Sequence, residues 1–179
     1  MNNNLYISTF TYDNFNYFIG VTNKGLAYLL RDNEFENKYS FNLIEDNNKT
    51  RLYKEQLIKY FNKELKEFDF KIDLNGTDFQ IKVWKELIKI PYGKTFSYLD
   101  IANKLNSPNS VRAVANAIGK NNILIVVPCH RIIGSNKKLT GFSSGLDMKE
   151  YLLNLENIFD YKRWVSLFTK REISIIIRL

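Results

Sequence analysis

Ser97-Tyr98-Leu99-Asp100-Ile101-Ala102-Asn103-Lys104-Leu105-Asn106-Ser107-Pro108-Asn109-Ser110-Val111-Arg112-Ala113-Val114-Ala115-Asn116-Ala117-Ile118-Gly119 reads as two short helices joined by a tight turn. Ser97 is a side-chain cap for a first helix running to about Leu105, with Leu99, Ala102 and Leu105 facing inward. Asn106-Ser107-Pro108 is the turn. Ser107 is placed to cap the second helix, and Pro108 suits a first helical position, where its missing N–H costs nothing. Val111, Val114, Ala115 and Ile118 fall at i, i+3, i+4 and i+7, which predicts a buried stripe, and Gly119 ends the helix. The pair is a helix-turn-helix pattern.

The elements upstream agree with an α+β chain. Thr77-Asp78-Phe79-Gln80 matches a capping box, and Phe79, Val83, Leu87 and Ile90 then predict one helical face ending at Pro91-Tyr92-Gly93. Leu52, Leu57, Phe61 and Leu65 predict a helix over 50–65. Leu5–Thr11, Phe15–Thr22 and Leu26–Leu30 are aromatic and β-branched runs separated by turn residues at Asp13-Asn14 and Asn23-Lys24-Gly25, so they predict an antiparallel meander. Phe68–Leu74 reads as a linker or a short strand. The expected fold is a small N-terminal antiparallel-sheet domain over 1–75, then a mostly helical, winged-helix-like domain over 76–156. Residues 157–179 form an extension in which Tyr161, Trp164, Leu167 and Phe168 predict helix packing and 173–179 a strand.

Downstream lies Pro128-Cys129-His130-Arg131, which holds the only cysteine and the only histidine among 179 residues. The apolar run Ile123–Val127 leads into it and predicts an extended, buried segment that delivers the cysteine to the edge of a site. Cysteine is a strong nucleophile once its thiol is deprotonated, and an adjacent base can do that. On this tetrapeptide alone, a core cysteine beside an incidental histidine fits equally well, because free cysteine packs as a small hydrophobe. A single cysteine excludes an internal disulfide and a Cys/His metal centre of ordinary ligand count. No metal and no cofactor is therefore expected. Net charge is +7. That favours a polyanionic partner such as nucleic acid, although lysine-rich surfaces also follow from a bias towards Asn, Lys and Ile. Met1-Asn2-Asn3-Asn4 lacks the basic and apolar regions of a signal peptide, and no apolar run reaches membrane-spanning length. A cytoplasmic protein without a membrane partner is expected.

The outer face of the second short helix carries Arg112, Ala113, Asn116 and Ala117. Small side chains there permit close approach to another surface, and one arginine projects from a low face, which suits a minor groove roughly 6 Å wide. Read alone, the same face also fits a solvated alanine-rich helix.

Five stretches, in order and spacing, then resemble the O6-alkylguanine-DNA alkyltransferase family: Ile90-Pro91-Tyr92-Gly93-Lys94-Thr95-Phe96-Ser97-Tyr98; Val111-Arg112-Ala113-Val114; Pro128-Cys129-His130-Arg131; Gly141-Phe142-Ser143-Ser144-Gly145; and Lys149-Glu150-Tyr151-Leu152-Leu153 with Glu156. The resemblance spans about Gly76 to Glu156, while the first 75 residues match in kind, as a ribonuclease-H-like domain. It implies a repair protein, a monomer, that binds double-stranded DNA through the minor groove, flips O6-alkylguanine out and moves the alkyl group to itself in a single turnover. Cys129 is then the acceptor, His130 the base acting through a water, and Glu156 the carboxylate that orients His130. Tyr98 donates to the guanine ring and turns the adjacent phosphate. Arg112 replaces the flipped base, with Ala113 and Asn116 also at the DNA. Asn121 ties the helix-turn-helix to the active-site segment. Phe142 and the Ser143 backbone shape the substrate site, and the carbonyls of Cys129 and Ile132 read the guanine amino group. Ser144 stands where the family usually has glycine, so its side chain is expected to narrow the alkyl pocket. The alternative within this resemblance is a lesion binder that transfers nothing, which the intact Pro-Cys-His-Arg argues against. A cysteine hydrolase or a winged-helix regulator are the readings outside it.

Overall fold

The computed structural model describes residues 3–31, 34–37 and 40–158, so the helix and strand expected beyond residue 158 lie outside the described residues. β1 (Asn4–Tyr12), β2 (Phe15–Thr22) and β3 (Gly25–Arg31) form the meander, antiparallel throughout. β4 (Asn42–Glu45) adds to the free side of β1 in parallel, giving the order β3-β2-β1-β4. β2 is buried along nearly its whole length because it is the central strand of the three. Asp13 makes the first turn at φ +49°, a left-handed value that a short polar side chain tolerates. Gly25 makes the second, at φ +142°, where a Cβ would run into the Lys71 carbonyl. That close approach is functional in the fold: Leu26 N–H donates to Lys71 O and Asp73 N–H to Leu26 O, so the expected strand over 68–74 is only a single bridge at Ile72.

α1 (Asn47–Phe61) begins at Asp46, whose carboxylate accepts from the N–H groups of Asn48 and Lys49. Its buried face is Thr50, Tyr53, Leu57, Tyr60 and Phe61, so Leu57 and Phe61 of the expected stripe face inward, while Leu52 is 50% exposed and Leu65 lies past the helix end. Two stripes compete on this helix, and the aromatic one faces the sheet. α2 (Asp78–Ile88) carries the expected capping box between Thr77 and Gln80. It buries Val83, Trp84 and Leu87, while Phe79 lies in the first turn, outside the core. Trp84 Nε1 donates to the Ala117 carbonyl and pins α2 to the next helix pair.

α3 (Tyr98–Lys104) is capped by Ser97 and Asp100 in a second capping box. Ile101 and Ala102 are its buried residues, and Leu99 is exposed, contrary to expectation. Ser107 does not cap: its hydroxyl donates to Leu105 O, and Pro108 opens a 3-10 turn that leads into α4 (Val111–Gly119). On α4 the buried residues are Val114, Ala117 and Ile118, with Ala115 half-buried. Ala117 therefore belongs to the core, because Trp84 packs on that side. Two-residue strands β5 (Phe96–Ser97) and β6 (Ile132–Ile133) pair in parallel and bring the start of α3 beside the segment after Arg131. α5 (Leu146–Leu155) closes the described chain.

The run Ile123–Val127 is not extended. It is a buried turn in which Val126 N–H reaches Leu124 O and Val127 N–H reaches Ile123 O, with Ile125 at φ +70°. A left-handed conformation is costly for a β-branched residue. Leu29 N–H donates to Asn122 O and Leu124 N–H to Leu29 O, so β3 holds this turn directly. One cluster of buried apolar side chains runs through both halves of the chain. Among the described residues no helix is long and apolar enough to cross a membrane.

Candidate active site

Cys129 opens a single 3-10 turn, Cys129–Arg131, and is 3% exposed. Asn121, just past α4, points its amide at the same spot: Nδ2 donates to Cys129 Sγ at 3.0 Å and to Val127 O at 2.9 Å, while Oδ1 accepts from Ile123 N–H. Burial pushes the thiol up to about 11, against the pull of the Asn121 hydrogen bond and the Lys149 charge. Lys149 is itself fully buried, on the inner face of α5, and donates from Nζ to the carbonyls of Ile132, Thr140 and Gly141. Burial lowers it to about 8.

His130 is wholly buried, and its Nε2 lies 2.9 Å from Glu156 Oε1. Glu156 follows α5 and gathers several donors. Arg131 grips it from Nε and Nη2, the Tyr60 hydroxyl donates at 2.6 Å, and Gly93 N–H donates at 3.0 Å. Burial pushes this carboxyl up, but hydrogen bonds and charge from His130 and Arg131 outweigh it and hold the group well below the usual carboxylate range. An ionised carboxylate only accepts, so Nε2 carries the ring proton and Nδ1 keeps a lone pair. Burial lowers the His130 pKa, with Glu156 opposing, so the ring is neutral. Nδ1 is buried and has no hydrogen-bond partner among the described residues. A neutral imidazole with a free lone pair sits next to a protonated thiol in sequence, which is the arrangement of a nucleophile and its base.

Above Cys129 is a cavity of about 370 Å³ lined by Tyr98, Ala115, Ile118, Phe142 and Ser143 among others. Its far wall is the loop 141–145. The Tyr98 hydroxyl donates towards Thr140 O and Gly141 O on that loop, at 3.2 and 3.3 Å. On the far side of α4, Arg112, Ala113 and Asn116 are exposed.

Residues 78–158 match the family model described as 6-O-methylguanine DNA methyltransferase, DNA binding domain. The inducible methylated-DNA–protein-cysteine methyltransferase of Bacillus subtilis is 42% identical over 161 residues, covering 85% of this chain and 90% of the relative. The methylated-DNA–protein-cysteine methyltransferase of Methanosarcina mazei is 47% identical over 135 residues, covering 74% of this chain and 85% of that one. The structure of Mycobacterium tuberculosis OGT in complex with DNA superposes with a TM-score of 0.78 at 39% identity, over 84% of this chain and 92% of the other. The chain belongs to the methylated-DNA–protein-cysteine methyltransferase family.

Within this member of the family, Cys129 and Tyr98 line one cavity, Asn121 holds the Cys129 sulfur and Glu156 holds His130 behind it, and Arg112, Ala113 and Asn116 share one outer face. The Ile132 carbonyl is already taken by Lys149, which leaves it one lone pair. Ser144 is a correction. Its side chain does not narrow the pocket: Oγ donates to Glu34 Oε2 at 2.8 Å, away from Phe142 and Ser143, and the residue is 2% exposed. Arg131, Tyr60 and Lys149 were not singled out from sequence. A lysine inside the apolar stripe Met148, Leu152, Leu153 is a readable signal for a buried cation. Tyr60 had no such signal, since it meets Glu156 across 96 residues of chain.

Proposed function

We propose that this protein repairs O6-alkylguanine in duplex DNA by moving the alkyl group to Sγ of Cys129, once per molecule. The observation that carries it is the Asn121-held thiol of Cys129 at the cavity that Tyr98 lines, followed in the chain by His130 on the buried Glu156 carboxylate. Displacement at an alkyl carbon needs a thiolate, and the resting thiol is protonated at neutral pH. The proton passes through a water to His130 Nδ1. Glu156, held ionised by Arg131, balances the imidazolium that forms. Asn121 donates to the sulfur, and the Lys149 charge favours its ionised form. The thiolate attacks the alkyl carbon, the carbon–O6 bond breaks, and its electron pair stays on the purine. Tyr98 turns its hydroxyl from the loop carbonyls to a ring nitrogen and stabilises that charge as it develops. The Ser143 backbone holds O6, and the carbonyls of Cys129 and Ile132 accept from the exocyclic amine. The product is a thioether, whose carbon–sulfur bond is stable, so the reaction is stoichiometric.

The unit that does this is 76–156, with 1–75 buttressing it. α4 enters the minor groove with Ala113 and Asn116 close to the sugar edges, and Arg112 fills the gap left by the flipped base, whose extrusion costs a few kcal/mol. The +7 charge supplies a sequence-tolerant, salt-sensitive attraction for phosphate. The protein acts as a cytoplasmic monomer. Mass spectrometry after incubation with excess O6-methylguanine duplex tests this: the Cys129 peptide gains one methylene mass, and Cys129→Ser gains none while still binding DNA. Many lesions repaired per molecule would refute it, and binding without a mass gain would make the chain a lesion binder instead.

A further inference from the structure

We infer that Arg31, Glu34 and Ser144 form a clasp that fixes the loop wall of the alkyl cavity and thereby limits the size of adduct the site accepts. The inference rests on the alkyl-transfer reading above. The wall is the segment between Gly141, at φ +47°, and Gly145, at φ +93°. Both are left-handed positions that glycine adopts readily, so they are natural pivots. Between them Phe142 and Ser143 face the cavity, and Ser144 faces the opposite way.

That outward side is tethered twice at one residue. Arg31 Nη1 donates to the Ser144 carbonyl at 2.8 Å, and Ser144 Oγ donates to Glu34 Oε2 at 2.8 Å. The two tether residues are themselves joined, since Glu34 Oε2 also accepts from the Arg31 N–H at 3.4 Å. The Arg31 guanidinium lies 5.3 Å from the centre of the Phe15 ring and 3.5 Å from Asp147 Oδ2, so it is steadied from the sheet and from α5. Arg31 ends β3, a strand paired along its length with the central strand β2. The wall of the cavity is therefore anchored to the N-terminal sheet, on the far side from the chemistry. The start of the loop has its own anchors, Tyr98 and Lys149 on the Thr140 and Gly141 carbonyls.

A methyl group needs no movement of this wall, and a pinned wall holds it in place for attack. A benzyl group must push Phe142 and Ser143 outward, which swings Ser144 off its partners and breaks charge-assisted hydrogen bonds. Arg31, Glu34 and Ser144 touch no substrate; they are positioning residues, and the serine at 144 adds a tether that glycine there would lack.

The test compares Ser144→Ala, Arg31→Met and Arg31→Lys with the unaltered chain. Three quantities are read: the rate of inactivation by free O6-benzylguanine, the rate of methyl transfer from duplex O6-methylguanine, and the thermal midpoint. The expected result is a benzyl-to-methyl rate ratio raised on the order of fivefold in Ser144→Ala and Arg31→Met, the size of one lost hydrogen bond. Arg31→Lys keeps a donor for the Ser144 carbonyl and should fall back towards the unaltered ratio. A purely structural role would lower both rates and the midpoint together and leave the ratio alone. An unchanged ratio in Ser144→Ala, which loses one hydroxyl and so keeps the test decisive even if Arg31→Met misfolds, overturns the clasp. Failure of the unaltered chain to take up methyl overturns the repair reading and the clasp with it, and that arm separates the two failures.

Discussion

A nucleophile pushed up to about 11 looks unsuited to its task, yet the residues around it explain why it is kept protonated. A thiolate at this buried position would be poorly solvated, so its charge is formed only when His130 takes the proton, favoured by the Asn121 hydrogen bond and the Lys149 charge. Lys149 is the costly partner. It spends its three donors on the carbonyls of Ile132, Thr140 and Gly141, and it is a cation without a carboxylate among those contacts. Its charge should matter for the transfer step more than for binding. Lys149→Met is expected to slow methyl transfer on the order of tenfold, about 1.4 kcal/mol of lost stabilisation of the developing thiolate, while DNA affinity changes little. Single-turnover rates set against DNA titrations check this, and equal losses in both would assign Lys149 to scaffolding alone. The pH dependence has a matching sign. Lys149 gives up its proton near pH 8, so the help it lends the thiolate fades above that value.

At the scale of elements, α4 divides its two jobs between opposite faces. Val114, Ala117 and Ile118 hold the core, Ala115 and Ile118 reach the cavity, and Arg112, Ala113 and Asn116 face out. If Arg112 fills a gap in the base stack, it matters only when a base has to leave one. Arg112→Ala should therefore slow repair in duplex DNA at least about tenfold, the scale of a few kcal/mol for extrusion, and leave the reaction with free O6-benzylguanine nearly unchanged. Equal losses on both substrates would give Arg112 another role. The capping box at Thr77 and the cap at Ser97 were legible in the sequence because they involve residues three apart, though the return bond from Asp100 that makes the second a box was not read. Helix faces were less so wherever two stripes compete. Leu52 against Tyr53, Leu99 against Ile101 and Ala115 against Ala117 are each decided by what packs opposite, which no local pattern records. The run Ile123–Val127 misled for a related reason: an apolar run signals burial but not conformation, and here the chain turns. Cys129 and His130 stood out as the only cysteine and histidine, side by side, and Glu156 was found through the family pattern, whereas Tyr60 and the Arg31–Glu34 clasp belong to the N-terminal part, far away in sequence.

Taken as a whole, the molecule converges on Glu156. Tyr60 reaches it from α1, Gly93 from the corner after α2, and His130 and Arg131 from the turn that carries the thiol; Arg131 also ties to the Ile90 carbonyl. The carboxylate is buried and so is every donor side chain around it. Such a pair adds little over a well-packed apolar substitute, but removing one charge strands the other, at about 3 kcal/mol or more. Glu156→Gln keeps the shape and strands Arg131, so it is expected to lower stability by about 3 kcal/mol at pH 7, and to slow transfer because His130 loses its counter-charge. The acid response of the unaltered chain has a definite sign. Burial holds His130 neutral in the fold, whereas in the unfolded chain it takes a proton below about pH 6.5, so stability falls as pH drops through that value. The Glu156 carboxyl is depressed in the fold, so its contribution is complete above about pH 4.3 and is lost as pH falls from there towards its folded value. Both groups act in the same direction and in succession. Urea midpoints read from pH 8 down to pH 3 should therefore begin to decline near pH 6.5 and decline more steeply below about pH 4.3. A midpoint that stays level from pH 7 to pH 4 would mean that His130 takes its proton in the fold as readily as in the unfolded chain, and burial would then not be what keeps the imidazole neutral and its Nδ1 free to accept the thiol proton.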